Sequence, residues 1–364
     1  MFYDIEWELK AIEEEPSLGK IYDVARTYRK KLLDKQAEAL RKMKTSYQRN
    51  VGPVLEEITR LEDLIEELSF LGQQDNIIFI NNYQRMLNIL DQLEEGISKY
   101  SEESFTITKT GQLQMATIAN EATEKITKNV LGKKPKGVPA SFSISWQKMD
   151  PETLESFVGF TADGSPLVSL FNKIAPEAVE ELSNIIEQGI IVGKNPRAVA
   201  SEIRGVANIS KYRAERITRT EMIRANREAT RKAYSDNNKI VNGYYRIAIP
   251  DQRVCPACLA LSGKEYQTSE ILPTHPQCRC VMVPKTLTWA EITGIEGLDE
   301  EEGKIRNGDD ILKEVGDEKA RLILGPGRYN LWKDGLSVSR MGTEVFDANW
   351  GWQTRVIPIV ELNK

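Results

Sequence analysis

Every cysteine and the one histidine of this chain fall between positions 255 and 280. They stand as Cys255-Pro256-Ala257-Cys258 and then, beyond an intervening loop, as His275-Pro276-Gln277-Cys278-Arg279-Cys280. Thiols and an imidazole that served only packing would be scattered through a core of this size, so their gathering points to a metal. Two cysteines with two residues between them can grip one ion from a single turn, and a second set arriving after a loop closes a tetrahedron, the usual zinc pattern. Zinc is therefore the expected cofactor. Five donors, Cys255, Cys258, His275, Cys278 and Cys280, are offered where four suffice, and spacing does not choose the one left out. A pair of disulfides or an inert group of thiols are the competing readings. The first lacks a secretion signal, because Met1 is followed by an acidic stretch at residues 4–15 and not by a basic and then apolar run.

The rest of the chain has to position that set. At 364 residues, with 40% hydrophobic and 28% charged residues, it is long enough for two or three soluble domains. No apolar run approaches the ~18 residues of a membrane helix, so no membrane partner is expected and the chain is read as made and kept in a cytosol. The net charge of −5 argues against a surface devoted to nucleic acid. It hides an excess of basic over acidic residues along positions 197–239.

Hydrophobic spacing predicts an α+β fold that is mostly α. Residues 1–134 read as an elongated antiparallel bundle: Ile21, Ala25, Tyr28, Leu32, Leu40, Met43 and Tyr47 recur at helical intervals, Gly52-Pro53 and residues 72–76 supply breaks, and a separate last helix runs through Ile118, Ala122, Ile126 and Val130. A Pro-, Gly- and Lys-rich connection follows, and Ser141 to Trp146 alternates like a short strand or extended arm. Residues 135–286 form a helical domain that ends in a small antiparallel β and zinc-knuckle subdomain. Its strands are expected around Tyr245, Ile247 and Ile249 and at Val281-Met282-Val283, on either side of the cysteine set. Residues 287–364 read as a looser C-terminal extension with an apolar strand or arm near its end.

One helix of this second region, from Ser210 to about Ser235, carries two unlike faces. Arg213, Arg216, Arg224, Arg227 and Arg231 lie along one stripe, small apolar residues along another. The stripe is either a solvated face or a set of forks for phosphate or carboxylate. Glu221 falls on the apolar side. It reads as a buried carboxylate in a structural ion pair with an arginine such as Arg219, or as a group placed for a purpose.

Taken in order, Arg219-Thr220-Glu221, Asp251-Gln-Arg-Val-Cys255-Pro-Ala-Cys258, Leu261-Ser-Gly263, Pro273-Thr-His275-Pro276-Gln-Cys278-Arg279-Cys280 and Pro284 resemble the phage head-morphogenesis domain of minor head proteins related to the F protein of phage Mu. Asp163-Gly-Ser-Pro-Leu167, Gly189-Ile-Ile-Val-Gly193 with Asn195-Pro196, and Tyr329-Asn-Leu-Trp332-Lys-Asp-Gly335 are similar to that family too, so the motifs span roughly residues 150–340. The resemblance implies a minor capsid protein of the virion, assembled in the host cytoplasm. It implies association with the portal vertex and other head proteins, and a role in head assembly and in the packaging or ejection of DNA. The arginine stripe adds an expected contact with double-stranded DNA that is independent of sequence. The alternative is a zinc-dependent nuclease, hydrolase or transferase. Against it, no histidine is left for a general base once His275 is spent, and no His-Glu-x-x-His helix or phosphate-cradling glycine loop occurs. No catalytic residue and no enzymatic activity are expected.

Overall fold

The computed structural model describes residues 19–70, 76–161, 163–192, 194, 196–250, 254–298, 305–347 and 351–362. Residues 4–15 and 72–75, Gly193, Asn195, the stretch 251–253 and Trp350, which entered the sequence reading, lie outside them.

The chain is mostly α with small antiparallel sheets, as its periodicity predicts. Helix α1 (Lys20–Asn50) buries Ile21, Ala25, Tyr28, Leu32, Leu40, Met43 and Tyr47. Val51 separates it from α2 (Gly52–Phe70), with Pro53 placed in the first turn, where its missing N–H costs nothing. The next helix differs from the expectation. A single helix, α3 (Asn76–Leu131), replaces two, because the polar residues between the apolar stripes are helix-compatible and include no proline. Helices α4 (Pro151–Glu155), α5 (Val168–Phe171) and α6 (Ile174–Val192) lead to α7 (Pro196–Asp236), which begins well before the Ser210 start expected from the sequence.

Two compact units emerge. One comprises Glu38–Gly111 and Gly159–Glu221. Inside it Tyr47 and Tyr100 meet edge to face at 5.2 Å, the hydroxyls of Thr108 and Thr218 pair at 2.7 Å, and Arg204 forks onto Glu62. The other comprises Met1–Ala37, Gln112–Val158 and Met222–Lys364. There α3 and α7 meet through Ala116, Ala119, Ala229 and Ala233, small residues that let two helices approach closely. Two asparagines tie the connector to them: Asn120 bonds both ways with the backbone of Met149, and Asn237 does the same with Gln147. Ser141 to Trp146 is thus an extended arm that, among the described residues, pairs with no strand.

The second unit also carries the sheet. Strand β1 (Val241–Ile247) is central, with β2 (Glu265–Tyr266) and β3 (Val281–Thr286) antiparallel on either side. Between β1 and β2 lies α8 (Pro256–Ala260). After β3 come α9 (Trp289–Thr293), α10 (Gly308–Val315) and α11 (Asp317–Lys333), the last kinked at Gly325 ahead of Pro326. A hairpin of β4 (Gly342–Asp347) and β5 (Gly351–Val356) follows, then α12 (Ile359–Leu362). The hairpin seats against the cysteine turn: a Cβ on Gly342 would meet the Ala257 Cα at 2.5 Å, so only glycine fits.

Candidate metal centre

Two tight turns present the donors. In the first, Cys255 is the residue before α8, Pro256 occupies its first position, and the Leu259 N–H bonds to the Cys255 carbonyl at 3.0 Å. Three residues of helix bring Cys258 round to the side of Cys255. The second turn shares the proline position and donor spacing but is closed differently. The Cys278 N–H bonds to the His275 carbonyl at 3.0 Å, Pro276 takes the second position, and Gln277 the third with φ of 60°. That is the left-handed backbone a type II turn demands, usually met by glycine. Cys280 follows two residues on and leads directly into β3.

The sulfurs are free thiols, with Cys258, Cys278 and Cys280 buried and Cys255 partly so. They fall into two groups of three that share Cys258: Cys255, Cys258 and His275, and Cys258, Cys278 and Cys280, with ligand atoms inside each group within 4.8 Å of one another. The Sγ atoms of Cys258 and Cys278 stand 3.8 Å apart. A tetrahedron of roughly 2.3 Å zinc–sulfur bonds has edges of about 3.8 Å, so this pair is spaced for a shared ion. The His275 Nδ1–H donates to the Pro276 carbonyl at 2.8 Å, and Nε2 lies 3.1 Å from the Cys258 Sγ, so a neutral ring would turn its Nε2 lone pair toward the sulfurs. That is the tautomer a metal needs. The donor set is able to hold a metal ion.

Charge is arranged to match. Arg246, in β1, is fully buried. Its Nε donates to Cys280 Sγ at 3.3 Å and one Nη to Cys258 Sγ at 3.2 Å, while the other Nη reaches the Pro273 carbonyl and the Thr354 hydroxyl, each at 2.9 Å. Burial works against its charge, but attraction to Cys280, Cys278 and Cys258 prevails and holds its pKa well above the ordinary value. The Cys255 thiol is lowered to about 4, first by its hydrogen bond with Cys258 and then by His275. Cys278 is lowered well below the ordinary value by Cys258 and Cys280, and Cys258, the donor to its neighbours, is raised. The thiolates favoured at Cys255 and Cys278 are ones a cation would stabilise.

The arginine stripe has mixed destinations. Arg213 pairs with Glu177, and Arg216 is exposed. Arg224 reaches the Phe157 carbonyl at 3.4 Å. Arg227 donates to the carbonyls of Cys278 and Cys280 at 3.0 and 3.1 Å, and Arg231 to Glu228 and the Thr268 carbonyl. Arg219 and Glu221 are both buried, at 3% and 7% exposure. Sequence reasoning passed over Arg246 and Thr354. Arg246 shares its side of the strand with Tyr244 and Ala248, both buried in the structure. Nothing in the sequence marked Thr354.

Fold and site together define a mostly helical protein whose small antiparallel sheet carries a Cys/His cluster suited to a metal ion. Residues 180–283 match the family model described as Phage Mu protein F like protein, so over that stretch the chain is similar to phage head-morphogenesis proteins, as its ordered motifs indicate. The matched stretch contains α7, β1 and all five donors. It is shorter than the span of the motifs, leaving Asp163 to Leu167 and Tyr329 to Gly335 outside. No curated protein and no solved structure matches the chain.

Proposed function

We propose that this chain is a minor head protein of a phage virion, acting at or near the portal vertex in head assembly and in the packaging or ejection of DNA. The observation that carries the reading is the family match over residues 180–283. Its partners are the portal protein and other head proteins. The site's role in this reading is structural: one zinc ion holds two turns and the start of β3 together. Cys255, Cys258, His275 and Cys278 are the proposed ligands, because a helical turn and a type II turn, each with proline at its second position, offer a donor at their first and fourth positions. Cys280, although grouped with Cys258 and Cys278, lies outside both turns and is the fifth donor in this reading. Glu221 and Arg219 have a structural, paired role. The proposed contact with double-stranded DNA falls chiefly to exposed Arg216.

Particles assembled with and without the gene, imaged by electron microscopy with the protein labelled, test the assignment. Label at one vertex and defective heads in its absence are expected. Normal, infectious particles lacking the protein would overturn it. Metal analysis should return about one zinc per chain, lost when Cys255, Cys258 or Cys278 becomes Ser and kept in Cys280→Ser.

A further inference from the structure

A guanidinium with no exposure to water is costly unless its charge is answered nearby. Among the described residues no carboxylate accepts a hydrogen bond from Arg246; its charged partners are sulfurs. The count works out for a metal–thiolate centre. A divalent ion with three thiolates and a neutral imidazole carries one net negative charge, which one guanidinium cancels. The same group reaches outward. Its remaining Nη holds Thr354 Oγ1, which donates in turn to the Pro273 carbonyl at 2.9 Å, and the Thr354 N–H bonds to the Thr274 carbonyl at 3.0 Å. Thr274 also bridges to Gln353 in parallel. One planar side chain therefore spans from the sulfurs to β5, across the peptide that precedes His275.

We propose that Arg246 is the internal counter-ion and positioning residue of the metal centre, and that through Thr354 it couples occupancy of that centre to the seating of the β4–β5 hairpin. The proposal rests on the structural-metal reading above. Two properties follow. Arg246 sets the electronic character of the thiolates, since N–H···S bonds draw electron density from sulfur. It also makes the hairpin sense the metal, although the hairpin supplies no ligand.

The test uses the full-length protein, loaded with zinc for affinity by chelator competition and with cobalt for absorption spectroscopy. Arg246→Gln and Arg246→Lys should weaken zinc binding about 10–100-fold, the usual effect of losing an outer-shell partner. Their thiolate-to-cobalt absorption should move to longer wavelength, because sulfur freed of N–H donors gives up an electron more readily. A residue that only supported the fold would lower stability without moving that band. Thr354→Val should produce a smaller loss of zinc affinity and faster amide exchange along β5, with Thr354→Ser restoring both. If the Arg246 variants do not fold, the Thr354 pair decides. Variants with wild-type affinity and an unmoved band overturn the proposal and leave the structural-metal reading intact. A wild-type protein that takes up neither zinc nor cobalt overturns both.

Discussion

Stripping the metal with a strong chelator should loosen the sheet-bearing unit while leaving the other unit's helices folded. The reason lies in how little hydrocarbon surrounds the donors. The cluster consists of Ala248, Cys258, Cys278 and Cys280, with Val254 and Cys255 packed at its edge. Apolar burial contributes about 25 cal/mol per Å², so one alanine and a few thiols supply little by themselves. Binding linkage supplies more. With free zinc at a thousand times the dissociation constant, the folded form gains about 4 kcal/mol. For a unit of roughly 150–250 residues each kcal/mol moves the midpoint by about 2–4 °C, so removal should lower that unit's transition by roughly 8–16 °C. Scanning calorimetry in zinc and in chelator measures this, with metal analysis run on the same samples. Hydrogen exchange should show the loss in β1, β3 and the turns and not near Tyr47 and Tyr100. A midpoint that stays within about 2 °C while the metal is demonstrably gone would refute the linkage argument.

Gly342→Ala should cost about 1–3 kcal/mol in urea unfolding, since the new Cβ would press on backbone of the cysteine turn, which no rotamer change relieves. Glu215→Gln should stabilise the protein at pH 7. Burial, opposed by Lys211 and Arg219, raises the Glu215 pKa above 4.5, so the unfolded chain sheds this proton first and folding is penalised as pH rises past that value. At pH 3, where both states keep the proton, melts of the two proteins should coincide. In a salt titration on non-specific duplex, Arg216→Ala should reduce the slope, whereas Arg227→Ala should lower thermal stability and leave the slope unchanged. A slope that falls equally in both would contradict the hydrogen bonds assigned to Arg227.

Much of this was legible from residue order. The stripe through Ile21, Ala25 and Tyr28 gave α1 because a one-faced apolar period has few other solutions. The cysteine pairs flanked by β1 and β3 were readable from alternation on either side. The helix ends inside α3 and α7 were not. Between Tyr100 and Met115 the buried face of α3 includes Ser101, Ser104, Thr108 and Gln112, polar residues that break an apolar period without breaking a helix. Strand β4 was missed because Thr343 to Phe346 is short and half-exposed, leaving little alternation to detect. Arg246 was hidden for a different reason. A charged residue in a strand reads as solvent-facing, and only the convergence of three distant sulfurs makes its burial favourable.

The arginine stripe shows how the same side chain changes meaning once its partners are known. Five arginines at helical spacing look like a track for phosphates. Yet Arg227, drawn to a phosphate, would abandon the carbonyls of Cys278 and Cys280, leaving two acceptors beside buried sulfurs without their donor. An unsatisfied buried acceptor costs roughly 1–3 kcal/mol, more than the gain from one additional screened phosphate contact at physiological salt. Arg231 faces the same exchange at Thr268 and Glu228. Energy therefore favours these two guanidiniums as braces of the ligand-bearing loop, holding its backbone from α7 while Arg246 holds its sulfurs from β1. With cations on both the carbonyl and the sulfur side, the loop from His275 to Cys280 sits in a positive setting suited to a thiolate-rich, net-negative centre.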